Sequence, residues 1–187
     1  MYPNNTSIQK IMSTIQSWKV WTTIRLGIPC RSGTTGENFY YSVHRSGYFA
    51  PDESCKRILY SPEFRLETKE RQVELIETGL VELGFGEDGA SHEELCNRAI
   101  ECGLKLCPIE VGPQVCIQQL GVVTSRYSGV SIGMKPVVTG RKMSEIFSIM
   151  PPPELGKVHL LTAHTVHSWC RGKGDGKSGF IFMRELE

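Results

Sequence analysis

The spacing of apolar residues changes at Gly103, and this change constrains the fold more than any other feature. Before it, Lys69–Leu83 carries apolar residues at helical spacing, which predicts a long helix. After it, short apolar stretches alternate with Gly, Pro and Ser, as in strands joined by turns. The sequence therefore predicts an α+β fold, with a helical N-terminal half packed on a mainly antiparallel C-terminal sheet.

Local patterns predict the remaining elements. Ser91 and Glu94 have the spacing of a capping box, so Ser91–Cys102 is expected to be a helix. Two shorter helices are expected, at Glu37–Arg45 and between Pro51 and Pro62. The expected strands are Val20–Gly27, Leu104–Cys107, Gln114–Leu120, Val130–Val138, Lys157–Ala163 and Gly179–Leu186.

The chain is expected to form one domain. Its 187 residues are interpreted as a flexible or marginally helical arm, residues 1–18, and a single α+β domain, residues 19–187. The first residues lack the basic start and unbroken apolar stretch of a signal peptide. No apolar run approaches the ~20 residues that span a bilayer. We therefore expect a cytoplasmic protein without membrane association.

Charge and cysteine content argue against two classes of partner. Lys and Arg number 21 and Asp and Glu 20, so the net charge of +1 gives no support for a nucleic-acid partner. The seven cysteines cannot all pair within one chain, and no C-x-x-C spacing occurs. We expect reduced, metal-free thiols, no cofactor and no metal ligands.

The segment Cys107–Gln114 combines two prolines and a glycine, which predicts a rigid turn between strands. Such a turn either presents Glu110 and Gln114 as the floor of a binding site or is purely architectural, with Glu110 capping a helix or pairing with an arginine. Both residues are taken as binding candidates. The turn is expected to pack against the helix Lys69–Leu83. No catalytic residue is assigned, because no second acid or base is identified beside the carboxylate.

The last strand is preceded by a loop rich in glycine and lysine. Gly172–Gly179 lacks phosphate-loop spacing and leads into a strand, so a mobile hairpin is expected, joined to an earlier strand that contains His167 and Trp169. Trp169, Lys173 and Lys177 are binding candidates, the lysines for phosphate groups.

Side chains of the last strand alternate between two sheet faces, so both of its faces are expected to be covered. The two sets are Phe180 and Phe182 on one face and Ile181 and Met183 on the other. Arg184, a further binding candidate, follows on the phenylalanine face and is expected to reach a carboxylate. Glu110 is one candidate partner for it.

Three motifs carry a resemblance to a known family. They are Trp21–Gly27 (WTTIRLG), Glu82–Phe85 (ELGF) with Gly89 and Ala90, and Gly103–Gln114 (GLKLCPIEVGPQ). Together they resemble an uncharacterised bacterial family of hypothetical proteins, many from candidate-phylum genomes. That family has no established activity, so the resemblance implies no chemistry. Cys116 stands where the family usually has arginine.

Three function classes remain open. The first is a small binding or accessory module with a protein partner, which would not be an enzyme. The second is a small hydrolase or transferase with its site near the Cys107–Gln114 turn. The third is an RNA-associated protein that uses the loop at residues 172–179. An enzyme should show a deep pocket with two convergent titratable groups, whereas an accessory module should show an exposed apolar patch.

Overall fold

The computed structural model describes residues 18–47, 49–86, 89–118, 125–139, 143–150, 159–166 and 178–186. These residues form one curled mixed sheet and short helices. The strands are β1 Val20–Leu26, β2 Phe49–Pro51, β3 Arg71–Gly79, β4 Gly129–Ile132, β5 Val137–Thr139, β6 Met143–Met150, β7 His159–Thr165 and β8 Ser178–Glu185. The helices are α1 Gly36–Arg45, α2 Glu53–Leu59, α3 His92–Glu101 and α4 Val111–Gln118.

The strand order is β1-β3-β8-β4-β6-β7-β2, and β5 pairs with β6 beside this path. The pairs β8–β4 and β7–β2 are parallel, whereas the other pairs are antiparallel. None of the described helices has the length and apolarity needed to span a bilayer.

The sheet curls around α4. This helix contacts β1, at one end of the strand order, and also β6 and β7, near the other end. Helices α1 and α2 complete the inner face, and the main apolar core forms between these helices and the sheet. Its buried members include Phe39 of α1, Ile58 of α2 and Val115 of α4.

Helix α3 covers the outer face over β3 and β8. A second apolar cluster there contains Leu95 and Ala99 of α3 together with Ile76, Phe180 and Phe182. Ile181 and Met183 belong instead to the main core. The prediction that the last strand is covered on both faces is therefore confirmed.

The predicted helical N-terminal half is wrong. Lys69–Leu83, expected to be a helix, contains strand β3, which β1 and β8 flank on both sides. Val73 and Leu75 enter the main core and Ile76 the outer cluster. In a strand buried on both faces, apolar residues need not alternate, so this segment also matched a helical period. Pairing with two neighbours overrode the helical propensity of its Glu, Gln and Leu residues.

The strand predicted at Gln114–Leu120 is also wrong, because Val111–Gln118 forms helix α4. Its residues from Val111 to Cys116 are all buried, so the helix has no polar face that would reveal a helical period. Pro113 lies in the first turn, where proline is tolerated. A Cβ on Gly112 would lie 2.9 Å from the Phe147 ring, which shows how closely α4 approaches β6.

Several local predictions are confirmed. Ser91 caps α3, and its hydroxyl accepts a hydrogen bond from the Glu94 amide in a complete capping box. Helix α1 forms where it was predicted but begins one residue earlier, at Gly36, and β1 lies within its predicted strand. Strands β7 and β8 overlap their predicted ranges, but β7 extends to Thr165 and β8 begins at Ser178. The strand expected at Val130–Val138 is interrupted and forms β4 and β5, and β6 was not predicted.

Helices α1 and α2 meet at Gly36, the first residue of α1. A Cβ at this position would lie 1.6 Å from the carbonyl oxygen of Leu59. We expect Gly36→Ala to lower the free energy of unfolding by about 2–3 kcal/mol, because one of the two helices must move. Gly86→Ala is the control, since a Cβ there meets nothing within 4 Å. Urea unfolding measures both variants, and equal effects would contradict the expected clash.

Candidate functional site

The turn Cys107–Glu110 connects the end of the sheet to α4. Two isolated bridges fix the segment before it, one between Lys105 and Met183 and one between Cys107 and Met134. The segment thus lies against the end of β8 before the chain turns into the helix. Glu110 immediately precedes α4 and is fully buried.

The carboxylate of Glu110 accepts hydrogen bonds from separate parts of the chain. The Gly27 amide donates to both oxygens, at 3.0 and 3.2 Å, and the Glu67 amide donates at 2.7 Å. The Gln114 side chain donates at 3.1 Å and also donates to the Ile28 carbonyl at 2.7 Å. One side chain therefore joins the loop after β1, the segment before β3 and helix α4.

The segment before β3 comprises residues 61–70 and is called the strap. It links α2 to β3 and includes Glu67, whose amide is bound by Glu110. Burial raises the pKa of Glu110, and the hydrogen bonds from Glu67, Gln114 and Gly27 oppose that increase. Glu110 is 0% exposed and Gln114 2%, so these two candidates position the strap and α4.

A groove of about 600 Å³, called the strap groove, lies between the strap and the turn. Its apolar lining consists of Leu66, Leu106, Pro108, Ile109, Met134, Val137 and Met183. Its charged lining consists of Arg65, Arg71, Lys105 and Lys135 with Glu63, Glu67 and Glu185. The groove therefore combines an apolar surface with more cations than carboxylates.

The cations of the strap groove are only partly neutralised. Glu185 binds both Lys105, at 2.6 Å, and Arg71, at 3.3 Å, and Arg71 also pairs with Glu67 at 3.4 Å. The hydrogen bond and charge of Lys105 lower the pKa of Glu185. Arg65 and Lys135 are exposed, and neither forms an ion pair with any described residue. These two side chains are thus available to an anionic group.

Arg184 lies away from the turn. Its Nε donates to Glu74 Oε2 at 2.7 Å, across the register that pairs the two residues on β3 and β8. Arg184 therefore reaches a carboxylate, as predicted, but the partner is Glu74 and not Glu110.

The strand expected to contain His167 and Trp169, and with it the hairpin expected to lead into the last strand, lies outside the described residues. In the sheet, β4 and β6 separate β7 from β8. Strand β7 ends at Thr165. The candidates Trp169, Lys173 and Lys177 lie outside the described residues, and so does the rest of the loop up to residue 177.

Two further carboxylates, those of Asp52 and Glu145, are occupied by internal contacts. Asp52 caps α2 and accepts hydrogen bonds from Ser54 and Thr162. Glu145 is bound by the guanidinium of Arg57 at 2.6 Å. Burial opposes ionisation of Glu145, but hydrogen bonds from Arg57 prevail and lower its pKa. These carboxylates stabilise the contact of α2 with β6 and β7.

The cysteines of the described residues are free and buried. Burial raises the pKa of Cys55 to about 12 and also raises that of Cys107, which borders the strap groove. A thiol whose pKa is raised is a poor nucleophile at neutral pH. No group of three His, Cys, Asp or Glu suited to a metal occurs among the described residues.

Sequence reasoning missed Arg65 and Lys135. They belong to irregular segments separated in sequence, and neither segment has a periodic pattern or a motif. The length of the strap was the one available signal. A ten-residue connection without regular structure is longer than most connections in compact domains, and such long loops are often functional.

The hydrogen bonds of Glu110 predict a large cost for its removal. Glu110→Ala leaves the amides of Gly27 and Glu67 without their acceptor, and we expect the free energy of unfolding to fall by about 3 kcal/mol. Glu93→Ala, at an exposed position of α3, is the matched control and should change stability by less than about 0.5 kcal/mol. Urea unfolding at neutral pH tests both variants. A loss at Glu110 no greater than at Glu93 would contradict the architectural role.

The raised pKa of Glu110 predicts a specific pH dependence. The folded state holds this proton more tightly than the unfolded state, so the contribution of Glu110 to stability is largest below about pH 4.3 and falls as the pH rises through the raised pKa. Glu110→Gln does not titrate. The stability difference between the parent and this variant should therefore shrink from about pH 4 to about pH 7.5. A difference that grows with pH would show that the hydrogen bonds outweigh burial.

Comparison with known proteins finds no match to this chain among family models, curated proteins or solved structures.

Proposed function

We propose that this protein is a non-catalytic binding module that holds an acidic, partly apolar peptide segment of a protein partner in the strap groove. The observation that carries the proposal is the combination, in one groove, of an apolar surface with Arg65 and Lys135, which pair with no described residue. A peptide with alternating acidic and apolar side chains would satisfy both features.

The size and lining of the groove support this ligand class. Its volume of about 600 Å³ falls within the roughly 300–1,000 Å³ of common ligand pockets. Leu106, Ile109 and Met183 offer apolar contact. Burial of apolar area supplies most of the free energy of such associations, and charge complementarity selects the partner.

The charges of the groove disfavour nucleic acid. Glu63, Glu67 and Glu185 line the same groove as the cations. A phosphate backbone would approach these carboxylates as well as the cations, whereas a peptide can place a single acidic group between Arg65 and Lys135. Nucleic-acid binding by residues 172–179 is a separate possibility that this groove does not support.

The lining also disfavours a hydrolase or transferase. Glu110, the carboxylate on which that alternative rested, is buried and bound by Gly27 and Glu67. The thiol of Cys107 is buried and has a raised pKa. The groove therefore shows no activated nucleophile beside a general base among the described residues.

Binding of a fluorescein-labelled peptide of alternating leucine and aspartate tests the proposal. The double variant Arg65→Ala/Lys135→Ala should bind it about five- to ten-fold more weakly, since each exposed ion pair contributes roughly 0.2–1 kcal/mol. The difference in affinity between the parent and the double variant should diminish at high salt.

The matched control is Lys69→Ala/Arg31→Ala, which removes two exposed cations outside the strap groove. It should bind the acidic peptide like the parent. Equal losses in both double variants would indicate general charge attraction, and no binding by the parent would refute the proposal.

A further inference from the structure

The geometry points to a second binding surface, formed by Tyr40, Tyr41 and Tyr60, that takes a proline-rich segment carrying a basic residue. These three residues are called the tyrosine surface. The partner is a protein segment in the polyproline II conformation, docked on aromatic rings. This inference does not depend on the ligand proposed for the strap groove.

The three rings are adjacent, and Tyr41 and Tyr60 are exposed, whereas Tyr40 is partly buried against the main core. Tyr40 meets Tyr41 edge-on at a centroid distance of 5.6 Å and Tyr60 edge-on at 6.1 Å. Tyr41 is 48% exposed and Tyr60 50%. Exposed tyrosines grouped in this way are typical of binding surfaces, because each ring offers apolar area and a hydroxyl group with little loss of side-chain entropy.

The rings stand on rigid elements. Tyr40 and Tyr41 belong to α1, and Tyr60 is the C-terminal cap of α2. Phe39, the neighbour of Tyr40, is fully buried and packs against Phe64 at 5.5 Å between ring centroids. The surface is therefore preorganised, so that binding would cost little ordering of the protein.

A groove of about 790 Å³ has Tyr60 of the tyrosine surface in its lining and runs along the strap on the side of α1. Leu59, Tyr60, Phe64 and Pro29 supply apolar and aromatic walls, and Thr34 and Ser61 supply hydroxyl groups. Polyproline II segments are recognised in aromatic-lined grooves, since their apolar rings pack on the side chains and their carbonyl groups remain available as acceptors.

The charged residues that line this groove are two carboxylates, Glu37 and Glu67, and one cation, Arg65. Glu37 lines the groove, acts electrostatically on Tyr60, and forms no ion pair within the described part of the chain. Lys56 is neutralised by Glu53 at 2.6 Å, and its ammonium lies 4.7 Å from the centroid of Tyr40. An unneutralised carboxylate at this end favours an arginine or lysine in the ligand.

The same arrangement disfavours other modes of peptide binding and the binding of nucleic acid. The surface is built from two helices, so it offers no strand edge for β-addition at this place. Nucleobases can stack on tyrosine, but the phosphates that accompany them would meet Glu37 and Glu53. Proline rings with a nearby cation fit both the aromatic rings and the charge.

The test uses three labelled, capped peptides that bind the intact chain in a fluorescence anisotropy titration. The first contains several prolines and one arginine, the second has alanine in place of each proline, and the third has glutamine in place of the arginine. The first peptide should bind tightest, and the alanine peptide should bind at least roughly five-fold more weakly. No binding of the proline peptide, or equal binding of the alanine peptide, would overturn the inference.

Variants of the tyrosine surface locate the site. Tyr41→Ala and Tyr60→Ala should each weaken binding of the proline peptide roughly five-fold or more, whereas Tyr41→Phe should retain most of it because the ring remains. Val81→Ala is the matched control, since Val81 is an exposed apolar residue elsewhere. Circular dichroism verifies the fold of each variant. Parent-like binding by both alanine variants would place the peptide elsewhere and refute the inference.

Glu37→Gln tests the charge. It should weaken binding of the arginine peptide and leave binding of the glutamine peptide unchanged, with the difference lost at high salt. An equal effect on both peptides would contradict the role of Glu37. The acidic peptide used for the strap groove should be insensitive to Tyr41→Ala, so that failure of either proposal is recognised separately.

Discussion

The buried carboxylate of Glu110 is the interaction on which the arrangement around both grooves depends. It binds the amides of Gly27 and Glu67 at distances of 3.2 Å or less, and its own helix provides Gln114 as a further donor. Without these donors, burial would make an ionised carboxylate very costly. Because the donors lie in different segments, satisfying one side chain fixes the loop after β1, the strap and α4 relative to each other.

The strap is also held by Phe64 and Leu66, which pack against the main core. It has no regular secondary structure, and Arg65, Leu66 and Glu67 line both the strap groove and the groove beside the tyrosine surface. Glu110 contacts neither ligand in our proposals, yet it fixes the wall that the two grooves share. The GLKLCPIEVGPQ motif, which includes this residue, is in this structure an architectural element beside the two grooves.

Elements that have a local sequence signal were predicted correctly. The predictions were wrong for elements whose structure depends on contacts with neighbouring strands and helices. The capping box of helix α3 is formed by Ser91 and Glu94, which lie three residues apart in the sequence. The prediction of this helix is confirmed. Strand β3 has neighbours on both sides, and helix α4 is buried within the curled sheet. Burial on all sides removes the alternation of polar and apolar residues on which periodicity depends. Glu110 and Gln114 could be selected as candidates from the sequence. That they hold separate segments together by internal hydrogen bonds could be seen only once the structure gave the positions of Gly27 and Glu67.

Curling of the sheet explains why the candidate sites lie where they do. Helix α4 contacts strands from both ends of the order, and Glu110 immediately precedes its first residue. The loop after β1 and the strap meet there because both amides must reach Glu110. Irregular segments held against a rigid core leave grooves between them, and their polar side chains remain on the surface. The closure of the sheet around α4 thus determines where the two grooves lie. The preferences that we propose for them come from their side chains, Arg65 and Lys135 in one and Tyr60 and Glu37 in the other.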